Sequence, residues 1–159
     1  MRESTDIRIL MVCLGNICRS PLAQGIMEKL VEDQGLSHRI HVDSCGTSGY
    51  HVGEPPHPGS IDVARTHGVL IDHQRSRQLE SDDFTNFDWL IAMDTTNRNT
   101  LRHLAPHVQS NDRTVLLLDY ASGDSPRDVP DPYYVGGFER VYELIEDGCR
   151  GFLSHLLSP

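Results

Sequence analysis

Apolar residues alternate along this chain between short continuous runs and stripes with helical spacing. Ile7 to Cys13 is an apolar, β-branched run, which is typical of a strand covered on both faces. From Leu22 to Gln34 apolar residues recur every three or four positions, which predicts a helix that stops at Gly35. Ser20 suits the N-cap of this helix and Pro21 its first position. The start of the chain therefore predicts a strand, a turn and a helix.

The same alternation continues to the end of the chain. Residues 46–59 and 122–137 are rich in glycine and proline and are predicted to be loops. Strands that alternate with helices predict an α/β fold with one parallel sheet and helices on both faces. No linker divides the chain, so a single domain is predicted over residues 1–159. Further strands are predicted at 40–45, 87–93 and 114–118, and further helices at 60–67, from Asp94 or Thr95 to Leu104, and at 138–157.

Composition narrows the possible partners. The 159 residues carry 23 acidic and 14 basic side chains, a formal net charge of −9. A general nucleic-acid binder would show a basic stripe, so no nucleic-acid partner is predicted. An anionic substrate must be attracted by a local field. The sequence shows no membrane span and no signal peptide, so we expect a cytoplasmic protein without membrane contact, and its four cysteines are expected to be free thiols.

The turn after the first predicted strand carries the candidate chemistry. Ligands of parallel sheets bind beyond the carboxyl ends of the strands, where this turn lies. Backbone N–H groups of such a turn form a nest for an anion, and together with the helix N-terminus they favour a thiolate at Cys13. Gly15 adopts positive φ freely and Asn16 tolerates it. The turn reads Cys13-Leu14-Gly15-Asn16-Ile17-Cys18-Arg19-Ser20-Pro21.

An arginine and a serine complete this predicted site. Arg19 can hold two oxygens of a phosphate through its planar guanidinium, and the Ser20 hydroxyl is placed to donate to the thiolate and ease its departure. These residue types predict a cysteine-dependent phosphatase. Cys18 has two open interpretations: a small residue packed behind the loop, or a partner that traps oxidised Cys13 as a reversible disulfide.

The longest irregular stretch supplies a candidate acid. Hydrolysis through a phosphocysteine needs a proton donor for the leaving oxygen. Asp131 stands between Pro130 and Pro132, which stiffen its backbone, and the same carboxylate can later take a proton from the attacking water. Tyr133 and Tyr134 follow, and they could form an aromatic wall for a flat substrate.

Four segments resemble the low-molecular-weight protein tyrosine phosphatases, and the chain looks most like a bacterial member. The resemblance runs from Ile7 to Leu157 in the family's order and spacing. It implies a three-layer doubly wound α/β fold with a central four-stranded parallel sheet flanked by helices. It also implies a phosphocysteine mechanism without metal or other cofactor. The matching segments are Cys13–Pro21, Asp43–Tyr50, Ala92–Asp94 and Asp131–Tyr134.

By motif position, the resemblance implies a role for each site residue. Cys13 is the nucleophile, Arg19 the phosphate clamp, and Asp131 the general acid and then the base. Asn16 and Ser44 would hold the phosphate-binding loop through hydrogen bonds. The substrate-binding residues implied in this way are Leu14, Gly15, Asn16, Ile17, Cys18, Ser20, Ser44, Tyr50, Tyr133 and Tyr134.

The resemblance also implies substrates and partners. The activity would be that of a protein-tyrosine-phosphatase acting on phosphotyrosine proteins and aryl phosphates. The disulfide interpretation of Cys18 would add redox regulation. A deep slot would favour a long aryl phosphate over phosphoserine. Phosphate-like oxyanions would inhibit, and a cognate bacterial tyrosine kinase is a candidate partner.

Two residues have open roles. Asp94 follows the third predicted strand, where it could either orient Arg19 or cap a helix. His73 matches a family position near Asn16, but the segment 72–77 departs from the common spacing. A surface histidine is therefore the default interpretation of His73.

Three other functions fit the residues of this chain less well. Arsenate reductase shares this fold and loop but needs further cysteines as a relay, and Leu70 to Asn111 contains none. Relatives that act on phosphoarginine carry threonine where this chain has Ile17, whose apolar side chain favours a phenyl ring. A silent phosphotyrosine-binding module would not need Cys13, Arg19 and Asp131 together.

Overall fold

A four-stranded parallel sheet organises residues 6–106 and 112–159, the part of the chain that the computed structural model describes. The strand order is β2-β1-β3-β4, and all neighbouring strands are parallel. The α/β fold with helices around a central sheet is therefore confirmed. The strands are β1 Ile7–Cys13, β2 Ile40–Gly46, β3 Trp89–Ala92 and β4 Thr114–Leu116.

Helices connect the strands and flank the sheet. None of the helices in residues 6–106 and 112–159 has both the length and the apolarity that crossing a membrane requires. The helices are α1 Arg19–Asp33, α2 Pro58–Thr66, α3 Asp83–Asn86, α4 Thr95–Leu104, α5 Pro132–Val135 and α6 Phe138–Leu157, and a 3₁₀ turn covers Leu117–Tyr120.

β1 is buried on both faces, which explains its continuous apolar run. Alternate side chains of a strand point to opposite faces of the sheet. Ile9 and Met11 pack in the larger core with buried residues of α1, α2 and α6. Leu10 and Val12 pack on the opposite face with Leu101 of α4. The sheet is thus the middle of three layers.

The predicted strands are present, with differences at their ends. β1 has the predicted bounds, and β2 extends one residue beyond the prediction, to Gly46. β3 covers only the centre of the predicted 87–93 strand. β4 stops at Leu116, because Leu117 begins the 3₁₀ turn.

Two helix starts differ from the prediction. Ser20 is not the N-cap of α1: the helix begins at Arg19, and Cys18 occupies the capping position. The Ser20 hydroxyl instead faces a sulfur atom, as described below. α2 begins at Pro58 rather than at residue 60, because His57 caps it.

The remaining helices follow the prediction except in two short segments. α6 has the predicted bounds, and α4 begins at Thr95 with Asp94 as its N-cap. α3 was not predicted, and α5 lies inside the predicted 122–137 loop, where Asp131 caps it. Each of these two helices has only four residues, too few for a periodic apolar stripe to mark them.

The carboxyl ends of β1, β2 and β3 meet at one edge of the sheet. Cys13 and Gly46 end neighbouring strands and pair in register, and Asp94 follows the end of β3. A Cβ atom at Gly46 would lie 2.7 Å from the carbonyl oxygen of Leu14. Glycine is therefore needed here so that the turn after β1 can lie against the end of β2.

Candidate active site

The turn between β1 and α1, residues Cys13–Ser20, wraps around the Cys13 sulfur and is called the Cys13 loop below. The backbone N–H of Asn16 donates to Sγ at 3.3 Å, and the Ser20 hydroxyl oxygen lies 3.0 Å from it. Asn16 is the one residue other than glycine with positive φ (57°) in residues 6–106 and 112–159. Asn16 thus adopts the positive φ that the sequence indicated it would tolerate, whereas Gly15 does not adopt it.

The hydrogen bonds of Asn16 fix which way the Ser20 hydroxyl points. The backbone N–H of Arg77 donates to Asn16 Oδ1 at 3.0 Å, so Nδ2 is free to donate to Ser20 Oγ at 2.8 Å and Ser44 Oγ at 3.0 Å. Ser20 thus accepts from Asn16 and keeps its own hydrogen. Its Oγ lies nearer to the Cys13 sulfur than to a backbone carbonyl at 3.4 Å. The network therefore directs a hydroxyl donor at the sulfur.

Outer contacts orient the peptide groups of the Cys13 loop. The described residues have no cis peptide bonds, and in a trans peptide the N–H points opposite to the preceding carbonyl. Carbonyls held from outside therefore direct the following N–H groups to the inner, concave side. Two backbone groups donate from outside: Ser48 N–H to the Leu14 carbonyl at 2.9 Å, and His57 N–H to the Ile17 carbonyl at 2.7 Å. Two hydroxyl groups do the same: Ser76 to the Gly15 carbonyl and Ser60 to the Cys18 carbonyl, each at 3.1 Å.

Arg19 is buried at the first position of α1 and is held by three partners. Nη1 donates to Asp94 Oδ2 at 2.6 Å and to the carbonyl of Val129 at 3.0 Å, and Nη2 lies 3.5 Å from Asp131 Oδ2. Burial opposes the charge, but the Cys13 sulfur and the two carboxylates outweigh it and raise the pKa of Arg19. A permanently charged, immobile guanidinium therefore stands beside the sulfur.

Asp94 fulfils both roles that the sequence left open. Its Oδ1 accepts the backbone N–H of Asn97 at 2.7 Å and so caps α4, while its Oδ2 binds Arg19. One carboxylate thus aligns the arginine with the end of β3.

Asp131 reaches the same site from a segment more than a hundred residues away. Its Oδ1 accepts the backbone N–H of Tyr133 at 3.0 Å, and its side chain is 30% exposed. The segment is anchored beside the sheet, because Val129 N–H donates to Met93 O and Asp128 Oδ1 accepts both the N–H and the hydroxyl of Thr95. The carboxylate is therefore held at the site while remaining open to a ligand.

A cavity of about 360 Å³ brings most predicted site residues together. Cys13 lies at its base, 3% exposed, whereas Tyr50 is 87% and Tyr134 77% exposed at its mouth. Two lining residues, Ser48 and His51, were not predicted. Asn16, Ser20 and Ser44 do not line the cavity but form the network behind it. The predicted residues that line it are Cys13, Leu14, Gly15, Ile17, Cys18, Arg19, Tyr50, Asp131, Tyr133 and Tyr134.

Gln24 belongs to the hydrogen-bond network behind the cavity, and no sequence motif predicted it. Gln24 Oε1 accepts the Ser44 hydroxyl at 2.6 Å, but a glutamine on a helix carries no motif. His73 is exposed, in line with the default interpretation. Its neighbour Gln74 is the buried residue and donates to the carbonyl of Pro21 at 3.1 Å.

Cys18 is packed at 4% exposure, as its first interpretation predicted, and it also lines the cavity. Its role as a partner of oxidised Cys13 stays a prediction. Burial raises the pKa of the Cys18 thiol to about 12, and the charges of Cys13 and Asp131 act in the same direction. All four cysteines are free thiols, as predicted. Within the described residues, no three or more His, Cys, Asp or Glu side chains are grouped so as to hold a metal ion.

Comparison with known proteins places this arrangement in a family. A family model described as low molecular weight phosphotyrosine protein phosphatase matches residues 8–158, which include the Cys13 loop and the Asp131 segment. The low molecular weight protein-tyrosine-phosphatase YfkJ of Bacillus subtilis is 43% identical over 150 residues, 94% of this chain and 96% of the relative.

Solved structures agree with this match over nearly the whole chain. The crystal structure of Bacillus subtilis YfkJ superposes with a TM-score of 0.90 at 42% identity, and covers 98% of this chain and 97% of that one. The crystal structure of a protein tyrosine phosphatase from Entamoeba histolytica, with Hepes in its active site, gives a TM-score of 0.90 at 36% identity. It covers 95% of this chain and 97% of that one.

Proposed function

This chain belongs to the low molecular weight phosphotyrosine protein phosphatases, and we propose that it hydrolyses phosphotyrosine through a phosphocysteine formed at Cys13. The family and the enzyme class, protein-tyrosine-phosphatase, are those that the sequence predicted. One observation carries the proposed mechanism: a sulfur, a buried arginine and a carboxylate share one cavity. Cys13, Arg19 and Asp131 then have the roles of nucleophile, phosphate clamp and proton carrier.

In the first step, the Cys13 thiolate attacks phosphorus and the bond to the tyrosine oxygen breaks. The inward N–H groups of the Cys13 loop and the Arg19 guanidinium bind the phosphoryl oxygens, where negative charge develops. Asp131, protonated at the start, gives its proton to the leaving phenolate oxygen. The phosphoryl group is left on sulfur.

In the second step, water attacks the phosphocysteine. The Asp131 carboxylate takes a proton from this water, and the bond between sulfur and phosphorus breaks. The Ser20 hydroxyl, held toward Sγ by Asn16, stabilises the departing thiolate. Inorganic phosphate leaves and the free enzyme is restored.

The shape of the cavity supports an aryl ester as the substrate. Because Cys13 lies at the base of the cavity, a phosphate ester on a protein side chain reaches it only through a long, flat side chain. The side chain of phosphoserine is too short. Ile17 and Tyr133 supply apolar wall for a phenyl ring. Small oxyanions that resemble phosphate fit the same loop and should inhibit. The cognate kinase, the cytoplasmic location and a single domain over 1–159 remain predictions from the sequence.

A shared phosphocysteine makes a specific kinetic prediction. With p-nitrophenyl phosphate and other aryl phosphates, added glycerol should accept part of the phosphoryl group. The ratio of glycerol phosphate to inorganic phosphate should be the same for every leaving group, because each substrate gives the same intermediate. The products can be measured by ³¹P NMR. A ratio that changes with the leaving group would contradict the intermediate.

Cys18 supports a redox prediction with a definite pH dependence. Peroxide converts the Cys13 thiolate to a sulfenic acid, and the Cys18 thiolate then displaces hydroxide to form a disulfide. Since the Cys18 pKa is about 12, its thiolate fraction rises about tenfold per pH unit. Oxidation of Cys13 removes the negative charge of its thiolate, which is one cause of the raised Cys18 pKa. Burial, the larger cause, remains, so the Cys18 pKa stays raised. Disulfide formation should therefore accelerate from about pH 6 to about pH 9.

Mass spectrometry of peroxide-treated protein at several pH values measures this rate. Cys18→Ser should form no Cys13–Cys18 disulfide. In excess peroxide its Cys13 sulfenic acid should oxidise further to sulfinic acid, so added thiol should restore less activity than in the parent. Cys149→Ser, at a cysteine buried on α6, is the matched control and should behave like the parent. Absence of a Cys13–Cys18 bond at every pH would remove Cys18 from this role.

A further inference from the structure

A second depression adjoins the catalytic cavity and takes no part in the proposed reaction. It has a volume of about 750 Å³ and runs from the Cys13 loop to the first turns of α2. Ile17, His51 and Tyr133 line both this depression and the catalytic cavity. It is called the α2 groove below. Because the two share a wall, a ligand that leaves the cavity on this side enters the groove directly.

The shared wall is built from fixed side chains. A Cβ atom at Gly15 would lie 3.1 Å from His51 Cδ2 and 3.8 Å from Ile17 Cγ1, so both side chains lie against the Cys13 loop. The Tyr133 ring is 6.0 Å from each of the His51 and His57 rings. A phosphotyrosine bound at Cys13 has its main chain at the cavity mouth. The substrate residues before and after the phosphotyrosine must therefore either pass over this wall into the groove or leave the cavity on its opposite side.

The floor of the groove is apolar and rigid. Pro55, Pro56 and Pro58 restrict the backbone, and Ile61 adds a partly buried apolar side chain. His57 is held on three sides: its N–H donates to the Ile17 carbonyl at 2.7 Å, its Nδ1 accepts Gly59 N–H at 2.9 Å, and its ring stacks on Phe138 at 5.1 Å. A preformed surface loses little entropy when it binds a peptide.

The rim of the groove carries more negative than positive charge. Glu54 and Asp62 are 54% and 75% exposed and stand against one arginine, Arg65. Arg65 lies 3.6 Å from Asp62, and His51 Nδ1 lies 2.9 Å from Glu54. Exposed pairs of this kind leave both carboxylates able to attract a further cation. The net charge of −9 on the whole chain adds to this field.

We propose that the α2 groove binds the substrate residues next to phosphotyrosine and prefers an apolar residue together with a lysine or arginine. The apolar side chain rests on the proline and isoleucine floor, and the cation faces Asp62 and Glu54. This proposal rests on the proposed phosphatase function, and it adds a substrate class to it: proteins whose phosphotyrosine lies beside basic and apolar residues.

The test compares phosphopeptides with p-nitrophenyl phosphate, which cannot reach the groove. Four peptides carry leucine plus either lysine or glutamate, placed either before or after the phosphotyrosine. Either before or after the phosphotyrosine, whichever side enters the groove, kcat/KM at low ionic strength should be about five- to tenfold higher for the lysine peptide than for the glutamate peptide. The preference should shrink in high salt, because the charges are exposed.

Charge reversal at Asp62 makes the test specific. Asp62→Lys should bring the lysine and glutamate peptides to similar kcat/KM, with p-nitrophenyl phosphate unchanged, and Asp62→Asn should fall between the two. Asp33→Lys is the matched control, since Asp33 is an exposed helical acid at the far end of α1 from the Cys13 loop. This control should keep the preference of the parent chain.

Three results would overturn the proposal. The first is equal kcat/KM for lysine and glutamate peptides in the parent chain. The second is an Asp62→Lys variant that loses p-nitrophenyl phosphate and peptide turnover alike, which would move the effect to the catalytic cavity. The third is a parent chain that turns over the lysine and glutamate peptides equally and also self-associates, with the self-association lost in Asp62→Lys. That result would assign the groove to a second copy of the chain. If the parent turned over no aryl phosphate at all, the phosphatase function itself would fail, and the p-nitrophenyl phosphate assay identifies that case.

Discussion

Replacing Cys13 by serine is expected to lower turnover of p-nitrophenyl phosphate by at least about 10⁴-fold. A serine hydroxyl in this position stays protonated, because its nearest partners are the Ser20 hydroxyl and the Asn16 N–H, and neither is a base. Arg19 and the loop N–H groups remain, so phosphate should still bind. Steady-state assays measure the loss, and isothermal titration with phosphate measures the retained binding.

The structure should tolerate this change, since serine and cysteine differ little in shape. Thermal unfolding should therefore show a folded protein. Cys149→Ser is the matched control: its side chain is also buried, and a serine hydroxyl there can still donate to the Ala23 carbonyl that Cys149 approaches at 3.8 Å. This control should keep full activity. Sustained hydrolysis by Cys13→Ser would refute the phosphocysteine mechanism.

Asp131→Asn should reduce kcat by about 10²- to 10⁴-fold, with substrate binding largely kept. Asparagine retains an Oδ1 that accepts the Tyr133 N–H, so the cap of α5 survives and only proton transfer is lost. The loss should be greatest for unsubstituted phenyl phosphate, whose leaving group most needs a proton.

Two comparisons make the Asp131 result specific. Asp131→Ala should lose the same proton transfer and also the cap, so it should unfold more easily than Asp131→Asn. Asp124→Ala, at an exposed acid of the same irregular stretch, should leave kcat unchanged. An unchanged kcat for phenyl phosphate in Asp131→Asn would mean that another group supplies the proton.

Much of the fold could be predicted because its signals are local. The continuous apolar run of β1 follows from burial on both faces, and the helical stripe of α6 follows from packing one face on the sheet. Both elements have their predicted bounds. Short elements escaped prediction because four residues, as in α3 and α5, are one turn and carry no periodicity.

The Ser20 N-cap prediction was wrong for a reason that the sequence could not reveal. A serine hydroxyl at a helix start can bond either to backbone N–H groups or to another polar group nearby. Here the Cys13 sulfur and the Asn16 amide offer better partners, so the hydroxyl joins the site network. Local pattern alone does not decide between these alternatives.

By itself, the sequence determined the alternation of strands and helices, the placement of Cys13 and Arg19 in a strand-to-helix turn, and the candidate acid Asp131. These follow from spacing and residue chemistry within short stretches. Only the tertiary structure decided which distant groups meet there. Asp94 holds Arg19 across 75 residues, and the Arg77 N–H orients Asn16 across 61. Such contacts depend on strand order and loop packing, which bring groups together without leaving a local pattern in the chain.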